Sequence, residues 1–579
     1  MRVLRWLLVF LLALVPLTTL VHRNDLGRWD VNRNAMAAPD EFSYLLLADS
    51  LLHGDGISTA KTVGRDTFYP PGYPLLLAGW SRVVGLTVFH AHVLNVLLLS
   101  IATLVVYAFT RRLLRHLGEG AHPQLQMREQ ENAWIAVLIA ALFATNWHVL
   151  EGALFVFSEP AFMLVTFAWL ALGLRWRDWH RSLPQTLLLT LLAIAAWAIR
   201  GAGIVCIAAM LGDVLAPLLF GRNTTTSRAV SPARRFARSL PPLVLILLLA
   251  LAYQLTITRI SPEKSLAAVN SSDNSYGLQL LRGITKNGTL HDFPSIAARV
   301  ITLAFSHLDD YAAAFTPWFR EAPAYLFLNV IGKTFGLLGL FGWLYRFLRG
   351  LRSNSPTRFL EVYILFYMAL YLLWPFNMSR FWAPLLPIML AYAIDALRQL
   401  SQCRSIEILR PRTAAPILLL LLLALSAQEL RLQLGNYERR LNYVSDALAD
   451  AARVVVRRSL NPADTLFAVG GTSEHFVFAW YLPRPYLPRS PEPHLPITGS
   501  RETIEDMLLR SLREVEATPP KRLFVASYFT EPNYPDVFRE LQRRDPALLS
   551  HFAIRRIFQK EIIATVWEFA PRPVPASFP

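Results

Sequence analysis

Apolar runs close to membrane-spanning length recur through most of this chain, and that one feature leaves few folds open. Inside hydrocarbon every backbone N–H and C=O must be satisfied within its own segment, so such runs are helices. A core about 30 Å thick needs roughly 20 apolar residues per crossing. About eleven segments qualify, starting at Leu7, Val88, Trp134, Ala153, Leu187, Gly203, Leu243, Leu326, Leu360, Phe381 and Ile417. Leu187 to Phe220 is long enough for a hairpin of two spans, broken near Arg200-Gly201-Ala202-Gly203.

Lys and Arg accumulate in cytoplasmic loops. Arg2 and Arg5 before the first span place the N-terminus inside. Alternate loops then carry Arg111, Arg112 and Arg115; Arg175, Arg177 and Arg181; Arg222 to Arg238; Arg346 to Arg358; and Arg398 to Arg412. Every cluster falls inside with this count, so the number of spans is odd and the C-terminus lies outside. The first segment is read as a retained anchor rather than a signal peptide, because its apolar core runs to about Val21 without a small-x-small cleavage site. The net charge of +16 is therefore mostly topology and contact with anionic lipid, not nucleic-acid binding. With 54% hydrophobic and 17% charged residues the chain is not disordered, and two cysteines, Cys206 and Cys403, exclude a disulfide scaffold.

The expected architecture is a polytopic all-α membrane domain over residues 1–430 followed by an extracytoplasmic α/β domain over 431–579. Two further stretches fall outside, a first loop at 22–89 and a second at 258–323. In the tail, helical periodicity covers Leu441 to Val456 and Ile504 to Val515. Strand patterns cover Thr465–Val469, Arg522–Ala526, His551–Phe558 and Ile562–Phe569.

The first outer loop holds the most informative residues. Asp40 and Glu41 precede a run with Tyr44, Leu47, Ala48, Leu51 and Leu52 at helical spacing. Two readings stand side by side: Asp40 caps the helix, or it is a carboxylate base on a helix lying flat in the interface. Gly54-Asp55-Gly56 marks a turn. Phe68-Tyr69-Pro70-Pro71-Gly72-Tyr73-Pro74 cannot be regular helix and reads as a stiff, aromatic re-entry turn.

Asp-Glu-x-x-Tyr, a surface helix, Gly-Asp-Gly and Tyr-Pro-Pro-Gly-Tyr-Pro, in that order, resemble the first outer loop of the GT-C glycosyltransferases. The likeness is to the bacterial branch related to protein O-mannosyltransferases and lipid A aminoarabinose transferases. Arg380-Phe381-x-x-Pro384-x-x-Pro387, after Trp374-Pro375-Phe376, and Ser158-Glu159-Pro160 at the outer end of the fourth span are similar to further family patterns. The resemblance covers roughly Met1 to Leu430. It implies an inner (plasma) membrane enzyme that takes a sugar from a polyprenyl-phosphate donor, using Asp40 as base with Glu41 and Glu159 as accompanying acids. The acceptor is a glycan, lipid or protein hydroxyl on the outer face. Tyr44, Tyr69 and Tyr73 would line the substrate cavity.

Arg380 and Arg200, at outer span ends, and Lys333, in or near the eighth span, are candidates to hold the donor phosphate, because a charge in a span needs a partner or a cavity. An Arg near a helix end also has a bland reading as a group snorkelling to the headgroups, and Glu159 one as the partner of a neighbouring Arg inside the bundle. Some relatives place a Lys just before the paired prolines; Tyr69 stands there here, which leaves Lys61 or Arg65 as substitutes. Asp309-Asp310 has no metal-ligand spacing, no zinc or calcium signature exists, and a divalent cation is left open as a cofactor. His90, His92 and His148 read as interfacial histidines. Two rival functions are a secondary transporter, disfavoured by the absence of paired halves, and a non-catalytic envelope-assembly protein.

Overall fold

The computed structural model describes residues 2–23, 39–54, 56, 69–118, 129–176, 178–220, 232–260, 293–315, 326–350, 355, 357–374, 378–400, 416–424, 426–428, 430–431, 450–456, 464–470, 488–489, 504–518, 521–528, 542–560 and 564–572. Every segment read as a span carries a helix. The first holds α1 (Arg2–Ala13) and α2 (Leu17–Arg23), joined by a turn at Pro16. There follow α3 (Pro39–His53), α4 (Gly72–Val84), α5 (Val88–Gly118), α6 (Glu129–Thr145), α7 (Trp147–Leu154) and α8 (Glu159–Arg175). The predicted hairpin is α9 (Leu183–Ile199), a 3-10 turn at Gly201–Gly203 and α10 (Ile204–Phe220). Next come α11 (Pro232–Ile260), α12 (Phe293–Phe315), α13 (Leu326–Gly350), α14 (Arg358–Leu372) and α15 (Leu386–Leu400), the last entered through a 3-10 turn at Ser379–Leu385.

Among the described residues, Val3–Leu20, Val88–Gly118, Ser239–Thr256 and Ser379–Leu400 are long and apolar enough to cross a membrane alone. Glu129–Thr145 and Trp147–Ala153, meeting at 56°, are long and apolar enough to cross only when taken together, and Leu183–Ile199, Gly201–Ala216 and Pro416–Gln428 are shorter apolar helices. The count of eleven does not follow from length and composition. The bend has a local cause. Asn146 leaves the helical region (φ −68°, ψ 128°), its side chain accepts the Val149 N–H, and its amide donates to the Ala314 carbonyl at 3.0 Å.

Three sequence readings change. The fourth span starts at Glu159, with Pro160 in its first turn, rather than at Ala153. Inside the segment read as a second outer loop lies the 23-residue α12. It is fixed by Tyr311, which donates to the Gly336 carbonyl at 2.8 Å, and by His307 Nε2, 2.6 Å from the Trp374 carbonyl. Finally, α3 is not an amphipathic surface helix: Glu41 through Ala48 are all buried.

Many arginines assigned to the cytoplasmic ends also tie the bundle together. Arg346 makes a bidentate pair with Asp395 at 2.8 Å and donates to the Leu117 carbonyl. Arg358 pairs with Asp213 at 2.8 Å, and Arg398 donates to Asn132 at 2.8 Å.

The tail contains the expected α/β elements. Strands β1 (Thr465–Gly470), β2 (Pro488–Arg489), β3 (Leu523–Tyr528), β4 (Phe552–Lys560) and β5 (Ala564–Pro571) form a sheet in the order β2-β1-β3-β5-β4. β1 is parallel to β2 and β3; β5 runs antiparallel to β3 and β4. Alternation puts Leu523 and Val525 on one face, with Leu508, Leu512 and Val515 of α16 (Ile504–Glu516). Phe524 and Val566 are buried on the other with Ala451, Ala452 and Val455. Residues 441–449 of the first predicted tail helix lie outside the described residues.

Candidate active site

The start of α5 organises the outer end of the bundle. Asn95, fully buried, accepts a hydrogen bond from the Tyr73 hydroxyl at 2.7 Å. Its amide nitrogen lies 3.1, 3.0 and 3.0 Å from the carbonyls of Gly152, Phe155 and Phe157. One side chain thus ties α4 to the end of α7 and its link to α8, taking up carbonyls where the helical ladder stops. One turn earlier, His92 sits between the Ala153 carbonyl, 3.0 Å from Nδ1, and the Glu41 carboxylate, 2.9 Å from Nε2.

The segment read as a turn is helical from Gly72 onward, and Tyr69 before α4 and Tyr73 in its first turn bring two aromatic rings to Tyr44 of α3. The ring centroids of Tyr69 and Tyr73 lie 4.8 and 4.9 Å from that of Tyr44. A Cβ on Gly72 would stand 2.6 Å from the backbone of Ala198, so only glycine lets α4 start against the end of α9. Gly203 is equally constrained: its Cβ would meet Ala196 at 2.2 Å. These two contacts hold the α9 terminus, where Arg200 takes extended backbone (φ −149°, ψ 134°) and turns its side chain toward α8.

There Arg200 meets Glu159 at 2.9 Å, and Arg380 approaches the same carboxylate oxygen at 3.5 Å from the 3-10 turn. Glu159 opens α8, where the helix N-terminus favours a negative charge. Ser158 precedes the helix but does not cap it; its hydroxyl instead accepts from Tyr44 at 3.1 Å and Arg200 at 3.3 Å. Aromatic faces complete the surround: Arg380 lies 4.2 Å above Phe157, and Arg200 lies 5.1 Å from Phe381. Tyr367 donates to the Phe381 carbonyl at 2.7 Å.

The structure therefore brings together Glu159, Arg200, Arg380, Tyr44, Tyr69 and Tyr73, which sequence reading selected separately. Asp40 is not a cap, since α3 is already helical at Pro39. It stands one turn before Tyr44, and its side chain lies outside the described residues. Glu41 faces the bundle, wholly buried against His92. Lys333 is half-buried on α13. Lys61, Arg65, Asp55 and the side chain of Asp309 lie outside the described residues. Among those described, no group of three His, Cys, Asp or Glu is placed to hold a metal ion.

No family model matches the sequence, and no curated protein matches it. Solved structures do match. ArnT from Cupriavidus metallidurans in the apo state superposes over 98% of this chain and 98% of its own, with a TM-score of 0.52 at 13% identity. The fold is that of ArnT. The match runs over the helical bundle and the terminal domain together. ArnT bound to undecaprenyl phosphate gives a TM-score of 0.48 at 12% identity, covering 97% of this chain and 98% of that one. The archaeal oligosaccharyltransferase AglB from Archaeoglobus fulgidus, in complex with an inhibitory peptide and a dolichol-phosphate, gives 0.47 at 15% identity, covering 100% and 75%.

Sequence reading missed Asn95 and Phe157, and it read His92 as an interfacial histidine, whereas the side chain is buried against Glu41. The available signal was a pair of polar residues three apart in an otherwise apolar span, which points them inward. It does not say to whom.

Proposed function

We propose that this chain is a membrane glycosyltransferase that moves a sugar from a polyprenyl-phosphate carrier to an acceptor hydroxyl on the outer face of the membrane. The observation that carries this reading is the convergence of Arg200 and Arg380, from separate elements, on one buried carboxylate beside three tyrosines. Two planar guanidinium forks converging from separate elements suit a phosphate that gains charge as it departs. Glu159 holds both forks in place before the donor arrives, so little reorganisation is needed at the moment of reaction. Of the three tyrosines expected to line the cavity, Tyr44 and Tyr73 are buried against each other, and only the half-buried Tyr69 offers part of its ring to a sugar.

The acceptor oxygen attacks the anomeric carbon while Asp40 takes its proton. The bond from that carbon to the phosphate oxygen breaks, and polyprenyl phosphate leaves with its new negative charge against Arg200 and Arg380. A single displacement inverts the anomeric centre. Lys333, Lys61 and Arg65 are secondary candidates for the phosphate. The N-terminus is cytoplasmic and the α/β domain extracytoplasmic in this reading.

Mass spectrometry of lipids and glycans from cells with and without the protein identifies the missing sugar and its acceptor. Purified protein in vesicles, given that lipid-linked sugar, is then expected to transfer it. Asp40→Asn should lower the rate about 1,000-fold with folding intact. Transfer at the wild-type rate by the Asn variant would remove Asp40 from the reaction.

A further inference from the structure

We infer that His92 and Glu41 form a positioning pair, holding one proton in common, that fixes the first turn of α3 where Asp40 stands. The inference rests on the reading of Asp40 as the base. His92 is 2% exposed and Glu41 is fully buried, so their contact at 2.9 Å is shielded from water. The second ring nitrogen decides the proton count. Nδ1 lies 3.0 Å from the Ala153 carbonyl, and a carbonyl only accepts, so Nδ1 carries a hydrogen. Nε2 and the carboxylate oxygen then need one more hydrogen between them, whichever of the two holds it.

A carboxylate held this way is occupied: its role is to tie α3 to α5 and, through Ala153, to α7. Asn95, one turn along α5, ties α4 and the α7–α8 link by the same logic. These two polar residues of α5 therefore register both halves of the site, α3 with Asp40 through His92, and Tyr73 with the α7–α8 link through Asn95. Neighbours in sequence, Asp40 and Glu41 have different tasks: one reacts, the other keeps the helix in register.

Glu41→Gln separates the two tasks. A glutamine amide donates to Nε2 while Nδ1 stays bonded to Ala153, so the tie survives but proton-accepting capacity is lost. Rates are compared for Glu41→Gln, Glu41→Ala, His92→Ala and Asp40→Asn. Glu41→Ala and His92→Ala are expected to lose about 100-fold in kcat. Glu41→Gln is expected to recover most of that loss, with Asp40→Asn the slowest of the four. Overturning results are a Gln variant as slow as Asp40→Asn, which would make Glu41 the reacting base, or a His92→Ala variant at the wild-type rate. A second measurement does not depend on transfer: 15N spectra of the histidine-labelled protein in lipid, with the His92 signal identified by its loss in His92→Ala. A protonated Nδ1 is expected in wild type and in Glu41→Gln. A bare Nδ1 removes the pair. If wild type moves no lipid-linked sugar yet Nδ1 is protonated, the proposed reaction fails and the pair stands as a structural tie only.

Discussion

At the residue scale, the Arg200–Glu159–Arg380 group shows how a buried ion cluster differs from its members. Each was legible as a charge in an apolar neighbourhood, which demands a partner or a cavity. That they partner one another is a property of three elements meeting. Removing the shared carboxylate takes a partner from both guanidinium groups in a site with little water to replace it. Glu159→Ala is therefore expected to cost about 3 kcal/mol of stability, measured by thermal unfolding in detergent, and to weaken donor binding. Arg380→Lys keeps the charge but loses the planar fork and the stacking on Phe157. Its kcat for sugar transfer should fall about 100-fold. A Lys variant at full rate would show that charge alone suffices.

At the element scale, the Tyr-Pro-Pro-Gly-Tyr turn was visible as a break but not as a joint. The prolines end one geometry; Gly72 lets the next helix begin against Ala198. Gly72→Ala inserts a methyl where 2.6 Å is available, so α4 must withdraw from α9. The expected cost is about 2 kcal/mol, seen as a lower melting temperature, with a larger fractional loss of transfer because Tyr69, Tyr73 and Arg200 share that joint. Helix α3 was misread because apolar spacing alone does not distinguish one buried face from burial on all sides.

In the tail, Asp545 caps the short α17 (Pro546–Ser550). The Leu548 N–H it accepts, and then Arg513, hold its carboxyl below the usual range. A depressed folded value means this stabilisation is complete above the unfolded value and is lost as pH falls through the folded one. Asp545→Ala should thus lower the melting temperature at neutral pH and make much less difference in acid below that range, as a pH series of melts would show.

At the scale of the whole molecule, sidedness is the untried quantity. The arrangement of basic residues predicts Arg349 inside and the α/β domain outside. In a background lacking the natural cysteines, a membrane-impermeant thiol reagent should label Ala517→Cys on intact cells. It should reach Arg349→Cys only after lysis; the reverse pattern would invert the topology. Sequence by itself determined the helical bundle, the break at Arg200, the four longer strands of the tail and most members of the polar cluster. Those features follow from periodicity, backbone satisfaction in hydrocarbon and the cost of unpaired charge, all of them local or averaged along the chain. Tertiary structure alone decided which charges meet, that His92 and Asn95 register the site, and that α12 is a helix. It also decided that Glu41 is bound rather than free. Those outcomes depend on contacts between residues far apart in sequence, and no local pattern names the partner waiting on another helix.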